Sequence, residues 1–239
     1  MATRPMNKPP HRVAIYAAPD AESPWWHRGS AWLGRCALNG LPVPQPAIEG
    51  VDAPSLASLT ADPRRYGWHG TLKAPFRLAD GVSLAQLDDA VNHLCQQHDP
   101  FELTGLRVAR MGRFLALTPK LPLPPLQALA ASCVTQLHPL AAPLTPGDIE
   151  RRRQAGLTPE QDALMLAWGY PWVLDEFRFH FSVTGPLDAL PADTTNHLLA
   201  SASAHFGTLP PMRLNHLSIF VEPTAGADFV LWRQRKLGA

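Results

Sequence analysis

Apolar and polar positions along the chain alternate between a two-residue and a roughly 3.6-residue rhythm. Residues 12–18 are β-branched and aromatic and end at Pro19-Asp20, the pattern of a strand. Residues 24–38 predict a helix rich in Trp and Ala, with Asn39-Gly40 as its stop. A proline-rich loop at 41–46 leads to a second predicted strand, 66–78. Ser83-Leu84-Ala85-Gln86 is a capping box, and it heads a helix whose Leu84, Leu87, Val91 and Leu94 share one face. Residues 101–109 and 113–118 then predict a strand pair turned at Met111-Gly112.

The order begins again. Leu126, Leu129, Cys133, Val134 and Leu137 mark an amphipathic helix, and residues 177–187 a strand. Asp193 is positioned to cap a helix running to Phe206, with Gly207 past its end. Residues 212–221 and 229–235 read as a closing strand pair. Between 139 and 172 lies an insert in which Thr145-Pro146 and Thr158-Pro159 each set a capping hydroxyl before a first-turn proline. Gly156 and Gly169 are the matching stops, so the insert predicts two short helices.

Both halves share a motif. His69-Gly70-Thr71-Leu72-Lys73-Ala74-Pro75-Phe76 and His180-Phe181-Ser182-Val183-Thr184-Gly185-Pro186-Leu187 are each His, any, hydroxyl, aliphatic, any, small, Pro, apolar. His69 stands 32 residues before Phe101 and His180 stands 33 before Arg213, with one helix in each gap. This repeat predicts an α+β chain: one bilobal domain over 1–239, with lobes of about 12–110 and 113–239. Two mostly antiparallel sheets are expected to face a central cleft, with helices on the outer faces. Residues i and i+2 of a strand share a face, so His69 with Thr71 and His180 with Ser182 would enter one pocket. His216-Leu217-Ser218-Ile219 repeats the short motif without the small-Pro continuation, and His216 is read as structural or peripheral.

Composition narrows the class. The apolar fraction is 46% and the charged fraction 17%, an ordinary globular balance. A net charge of +1 gives no broad basic field for a long nucleic acid. Cys36, Cys95 and Cys133 are odd in number and widely spaced, which argues for buried thiols in a reducing cytoplasm and against a disulfide or zinc framework. The apolar run 13–18 is too short for a signal-peptide core, and nothing reaches the length of a membrane span.

Two imidazoles and two hydroxyls in one pocket suit a phosphodiester. One histidine takes a proton from the attacking water or hydroxyl, the other protonates the leaving oxygen, and the hydroxyls hold the non-bridging oxygens. Such chemistry needs no cofactor or metal. A zinc site on His69, His180 and His216 is a competing reading, as is a phosphate- or nucleotide-binding module without catalysis.

On these motifs the chain resembles the two-histidine (2H) phosphoesterase superfamily, which includes cyclic phosphodiesterases and enzymes named for 2'-5' RNA ligase activity. It is most similar to the branch associated with bacterial phosphonate-utilisation operons. The segments that carry this are Arg65 to Phe76, Ile149 to Arg153 with Leu157-Thr158-Pro159, Trp168 to Pro171, and Phe177 to His180. Ser182 stands where that family often has Thr. The resemblance implies a bilobal fold, His69 and His180 as acid and base, Thr71 and Ser182 on the phosphate, and a small ribose- or nucleotide-type cyclic phosphate as substrate. Processing or ligation at RNA ends is the less favoured alternative.

Further substrate contacts are expected from Tyr16 on the first strand, from Lys73 two residues beyond Thr71, and from one or two of Arg151, Arg152 and Arg153 on the insert. Trp25, Trp26 and Trp32 could stack on a base, although packing is the commoner role of helix tryptophans.

Overall fold

The computed structural model describes residues Lys8–Gly238. Nine strands and eight α-helices lie among them. The strands are β1 (Arg12–Ala17), β2 (Gly70–Phe76), β3 (Phe101–Leu103), β4 (Leu106–Met111), β5 (Phe114–Pro119), β6 (Phe181–Ser182), β7 (Met212–Leu214), β8 (His216–Glu222) and β9 (Val230–Lys236). The helices are α1 (Pro24–Leu33), α2 (Ala53–Leu59), α3 (Ala61–Tyr66), α4 (Leu84–Cys95), α5 (Pro124–Gln136), α6 (Pro146–Arg153), α7 (Pro159–Trp168) and α8 (Ala192–Gly207).

The class is α+β, and every strand pairing is antiparallel. The expected two sheets are joined into one of seven strands, ordered β4-β5-β6-β2-β1-β8-β9, with β3 and β7 forming a separate pair. The joint is narrow: β2 and β6 meet through the single pair Gly70↔Phe181. The motif strands are therefore neighbours within one sheet, and do not face each other from two.

The order is a palindrome of the repeat. With β1 equivalent to β5, β2 to β6 and β4 to β8, the sheet reads the same outward from the β2–β6 seam on both sides, with β9 added at one edge. β3 and β7, which close the equivalent gaps, also pair with each other, Phe101 opposite Leu214. β8 from the second half lies against β1, and β4 from the first half lies against β5. The halves 12–110 and 113–239 thus exchange strands rather than forming separate sheets.

Local signals set most element ends. Ser83, Thr145 and Thr158 all close complete capping boxes, with Gln86, Asp148 and Gln161 returning the bond. α7 ends at Gly169 as expected. α1 stops at left-handed Gly34, five residues before the expected Asn39-Gly40. The expected strand 101–109 breaks at Gly105 into β3 and β4, which join different sheets. The expected strand 177–187 shrinks to two ladder residues. A 3-10 turn, Leu174–Glu176, precedes it, and the amides of Val183 and Thr184 both bond the Leu115 carbonyl. α8 begins after Pro191 without a side-chain cap, so Asp193 is a first-turn residue rather than the cap. α2 and α3 fall in a stretch where no helix was expected.

The larger core lies on the sheet face that carries Ile15, Leu72, Phe181 and Ile219. α5 packs on β2, α8 on β4 and α4 on β9. Trp25 and Trp32 are in this core and donate to the carbonyls of Pro210 and Val183. Trp26 belongs to a smaller cluster around Tyr16, Phe220 and Phe229. All three tryptophans are packing residues. Cys95 and Cys133 are buried thiols and Cys36 is half-buried. Among the described residues no helix is long and apolar enough to cross a membrane.

Candidate active site

The motif strands split their side chains between the two sheet faces. Trp68, Leu72, Phe179, Phe181 and Val183 enter the larger core. Gly70 lies among them: a Cβ built there would sit 2.4 Å from the Phe179 ring. His69, Thr71, His180 and Ser182 alternate with these and take the opposite face. Because Gly70 pairs antiparallel with Phe181, His69 stands across from Ser182 and Thr71 across from His180. The four residues expected to converge form a two-by-two patch at the seam of the repeat.

The two imidazoles are held alike. His69 Nδ1 lies 2.9 Å from the Gly67 carbonyl and His180 Nδ1 lies 2.8 Å from the Arg178 carbonyl, each two residues back. A carbonyl only accepts, so each Nδ1 carries the proton and each neutral ring keeps its lone pair on Nε2. Thr71 Oγ1 lies 3.3 Å from His69 Nε2. The Gly67 carbonyl is in reach because Gly67 ends α3 at φ 79°, where a Cβ would meet Ala37.

Burial disfavours the charged ring at both positions. It draws His69 down to about 4, assisted by the neighbouring charge of His180 and only partly offset by the Gly67 bond. His180 is lowered by the same cause, with the Arg178 carbonyl pulling the other way. Behind His69 lies Tyr16, fully buried, its ring stacked on the imidazole at 3.7 Å and 25°. Its hydroxyl has no hydrogen-bond partner. Tyr16 thus backs the histidine.

Beside this patch opens a cavity of about 680 Å³, walled by β1, β2, the end of α5 and the insert. Its lining does not include the four motif residues; Tyr66, which lines it, lies 6.1 Å from the His69 ring. Lys73 is no rim residue. Two register shifts between β1 and β2 place extra residues on β2 beyond Thr71, so simple alternation no longer sets its direction. Its side chain is buried, bonds the Val134 carbonyl at 3.3 Å and lies over Phe76, and burial brings its pKa down to about 8.

The insert arginines diverge. Arg151 points outward and pairs with Asp148, and Arg153 pairs with Asp162. Arg152 turns inward over the Tyr170 ring, with its Nε buried and unpartnered. His216 opens β8, separated from β2 by β1, and is influenced by Asp20 and Lys236. No group of three His, Cys, Asp or Glu side chains with metal-binding geometry occurs among the described residues.

Sequence reasoning missed Arg12, Arg65, Tyr66 and Tyr170 of the cavity wall, and Glu222 behind it. Glu222 is fully buried at the end of β8 and bonds both Arg12 and Arg65. A lone carboxylate closing an apolar strand was the available signal.

Paired strands that present two backbone-oriented imidazoles and two hydroxyls define a candidate acid–base site beside a cationic cavity. Residues 71–230 match the family described as "Protein of unknown function (DUF1045)", and the chain belongs to that family. It is 40% identical over 226 residues to a protein named ribose 1,5-bisphosphate phosphokinase PhnN from Janthinobacterium sp. (strain Marseille), covering 93% of this chain and 50% of that protein. A protein of the same name from Laribacter hongkongensis (strain HLHK9) is 38% identical over 223 residues, covering 93% and 51%. The chain spans about half the length of these curated relatives. Among solved structures, E. coli LigT complexed with phosphate aligns at a TM-score of 0.42 and 14% identity, covering 96% of this chain and 99% of that one. The crystal structure of a phosphoesterase gives 0.43 and 14%, covering 95% of this chain and 98% of that one.

Proposed function

We propose that this chain is a two-histidine phosphodiesterase that hydrolyses a small cyclic phosphate of the ribose or nucleotide type, with no metal taking part. The observation that carries the reading is the Gly70↔Phe181 register, which sets both imidazoles and both hydroxyls on one face at the seam of the repeat.

In this reading His69 is the base, because burial keeps its Nε2 unprotonated. Water attacks phosphorus and passes a proton to that nitrogen. The bond from phosphorus to the leaving sugar oxygen breaks, and His180, protonated once the anionic substrate is bound, gives that oxygen a proton. Thr71 and Ser182 donate to the non-bridging oxygens. One water is added overall and the product is a phosphomonoester. Acid and base are each worth about 10²–10⁴-fold in rate.

The names of the curated relatives support a ribose-phosphate setting. A ribose cyclic phosphate opened by water yields a ribose phosphomonoester, the class of compound on which a ribose bisphosphate kinase acts. The association with phosphonate metabolism fits the same setting.

The test is an assay of EDTA-treated protein against 2',3'-cyclic nucleotides and ribose cyclic phosphates in ¹⁸O-water. We expect hydrolysis that survives EDTA and leaves one ¹⁸O in the product phosphate. Activity abolished by EDTA and restored by a divalent cation would overturn the reading.

A further inference from the structure

The repeat that builds the site is broken in the strands that flank it. Thr71 and Ser182 are equivalent in the motif. Across the ladder Thr71 pairs with Tyr16 of β1, and Ser182 pairs with Ala116 of β5. β1 and β5 are the equivalent neighbours of the motif strands, so Tyr16 and Ala116 hold the same place in the two halves. One strand further out both halves carry a small residue, Ser218 opposite Tyr16 and Ala109 opposite Ala116. The change from large aromatic to small side chain thus falls on the pair beside the histidines.

The two imidazoles therefore have unlike surroundings. The Tyr16 ring is stacked on His69, with Phe220 and Phe229 packed around it at 5.1 and 6.5 Å. This face-on ring and the Gly67 carbonyl together fix the plane of the imidazole. His180 has a tilted contact with Phe114, at 5.3 Å and 52°. Its bond to the Arg178 carbonyl is exposed, whereas that of His69 to Gly67 is part-buried. The Tyr16 hydroxyl bonds nothing, so the ring alone serves His69. The titratable groups that face His69 are Tyr16 of β1, Tyr66 of α3 and His180 of β6. Arg12, Tyr170 and Glu222 act on Tyr16 from further out. The three groups facing His69 carry no negative charge at neutral pH that would favour its protonated form.

We propose that Tyr16 is the positioning residue that makes the duplicated site directional: its stacked ring holds His69 as the proton acceptor, while Ala116 in the equivalent place leaves His180 able to carry the proton it donates. The inference rests on the phosphodiesterase reading and adds what distinguishes two histidines whose motif, tautomer and carbonyl bond are alike. An imidazole pressed against an apolar face loses the hydration that would stabilise its charged form, and one with an open side keeps more of it. A fixed ring plane also aims the Nε2 lone pair at the attacking water, where a misplacement of about 1 Å can cost about 100-fold in rate.

The experiment compares a ribose-type cyclic phosphate with a p-nitrophenyl phosphodiester, whose leaving group departs without needing a proton. In a directional site His180→Gln should lose about tenfold less activity on the p-nitrophenyl diester than on the cyclic phosphate, whereas His69→Gln should lose as much on both. Tyr16→Leu should lower kcat about tenfold or more with KM little changed, and Tyr16→Phe, which keeps the ring, should restore it. Nuclear magnetic resonance of the ¹⁵N-histidine-labelled protein without substrate reads the stack itself. The Nδ1 proton of His69 should be protected from exchange in wild type and Tyr16→Phe and lose that protection in Tyr16→Leu. Melting profiles confirm folding, and Tyr16→Met replaces the leucine variant if that one does not fold. A folded Tyr16→Leu with wild-type kcat or an unmoved His69 signal would overturn the inference. So would a Tyr16→Phe as impaired as Tyr16→Leu, or equal losses for both histidine variants on both substrates. In each of these cases His-dependent hydrolysis would leave the phosphodiesterase reading standing. If wild type hydrolysed neither substrate, that reading would fall and the directional role of Tyr16 with it.

Discussion

His69 and His180 each spend Nδ1 on a carbonyl two residues back, which leaves Nε2 as the working nitrogen in both. Burial lowers both pKa values, so kcat/KM should have its acidic limb near pH 4, as His69 gains a proton. Its alkaline limb should fall below 6.5, as His180 loses one. A pH profile of kcat/KM should therefore peak on the acid side of neutrality; an optimum above pH 8 would contradict the assignment. The same burial has a stability consequence. Between about 6.5 and 4 the unfolded chain binds a proton at His69 that the folded chain refuses, so stability declines as pH falls through that window, by on the order of 3 kcal/mol. Denaturant melts at pH 7 and 4.5 should show a smaller decline in His69→Gln than in wild type. At this scale the sequence was informative because the motif is local: two strand rhythms and two hydroxyls name the four residues. The Tyr16–His69 stack and the inward turn of Arg152 depend on distant segments, and no spacing announces them.

The motif strands work as elements because their alternate positions are bound into the core. Gly70 lets the Phe179 ring pack close against β2, and a methyl there would strike it. Gly70→Ala should cost about 1–3 kcal/mol through overpacking and lower Tm by roughly 2–10 °C. Hydrolysis should fall with it, since the Gly70↔Phe181 pair sets the register of both histidines; a thermal melt and a rate on the same sample check both. Capping boxes at Ser83, Thr145 and Thr158 were readable because three residues define each one. β6 was not: its apolar run 177–187 has strand composition, but only two residues find ladder partners between β2 and β5. α2 and α3 were missed because they are six or seven residues long and carry few apolar positions on which a period can show.

Across the whole molecule the repeat is expressed as a palindromic sheet with its symmetry seam at the site. Duplication was legible in the matched motifs and gaps, whereas the exchange of β4 and β8 between halves was not, because hydrogen-bond partners at such separations leave no local trace. Glu222 ties this assembly together, joining β8 to Arg12 of β1 and to Arg65 at the end of α3. Both arginines are part-exposed, which moderates the cost of losing their partner, so Glu222→Gln should destabilise by about 3 kcal/mol. It should also raise KM, because Arg12 and Arg65 line the cavity; an unchanged melting temperature and KM would show that the tie is dispensable.

The central claim is that His69 and His180 act together on one phosphodiester. Its most direct test is the rate of hydrolysis of a ribose-type cyclic phosphate by EDTA-treated wild type, His69→Ala, His180→Ala and the double variant. Each single substitution should lower kcat at least 100-fold, and the double variant should lie close to the singles, because acid and base serve one transition state. Full activity in either single variant would contradict the claim.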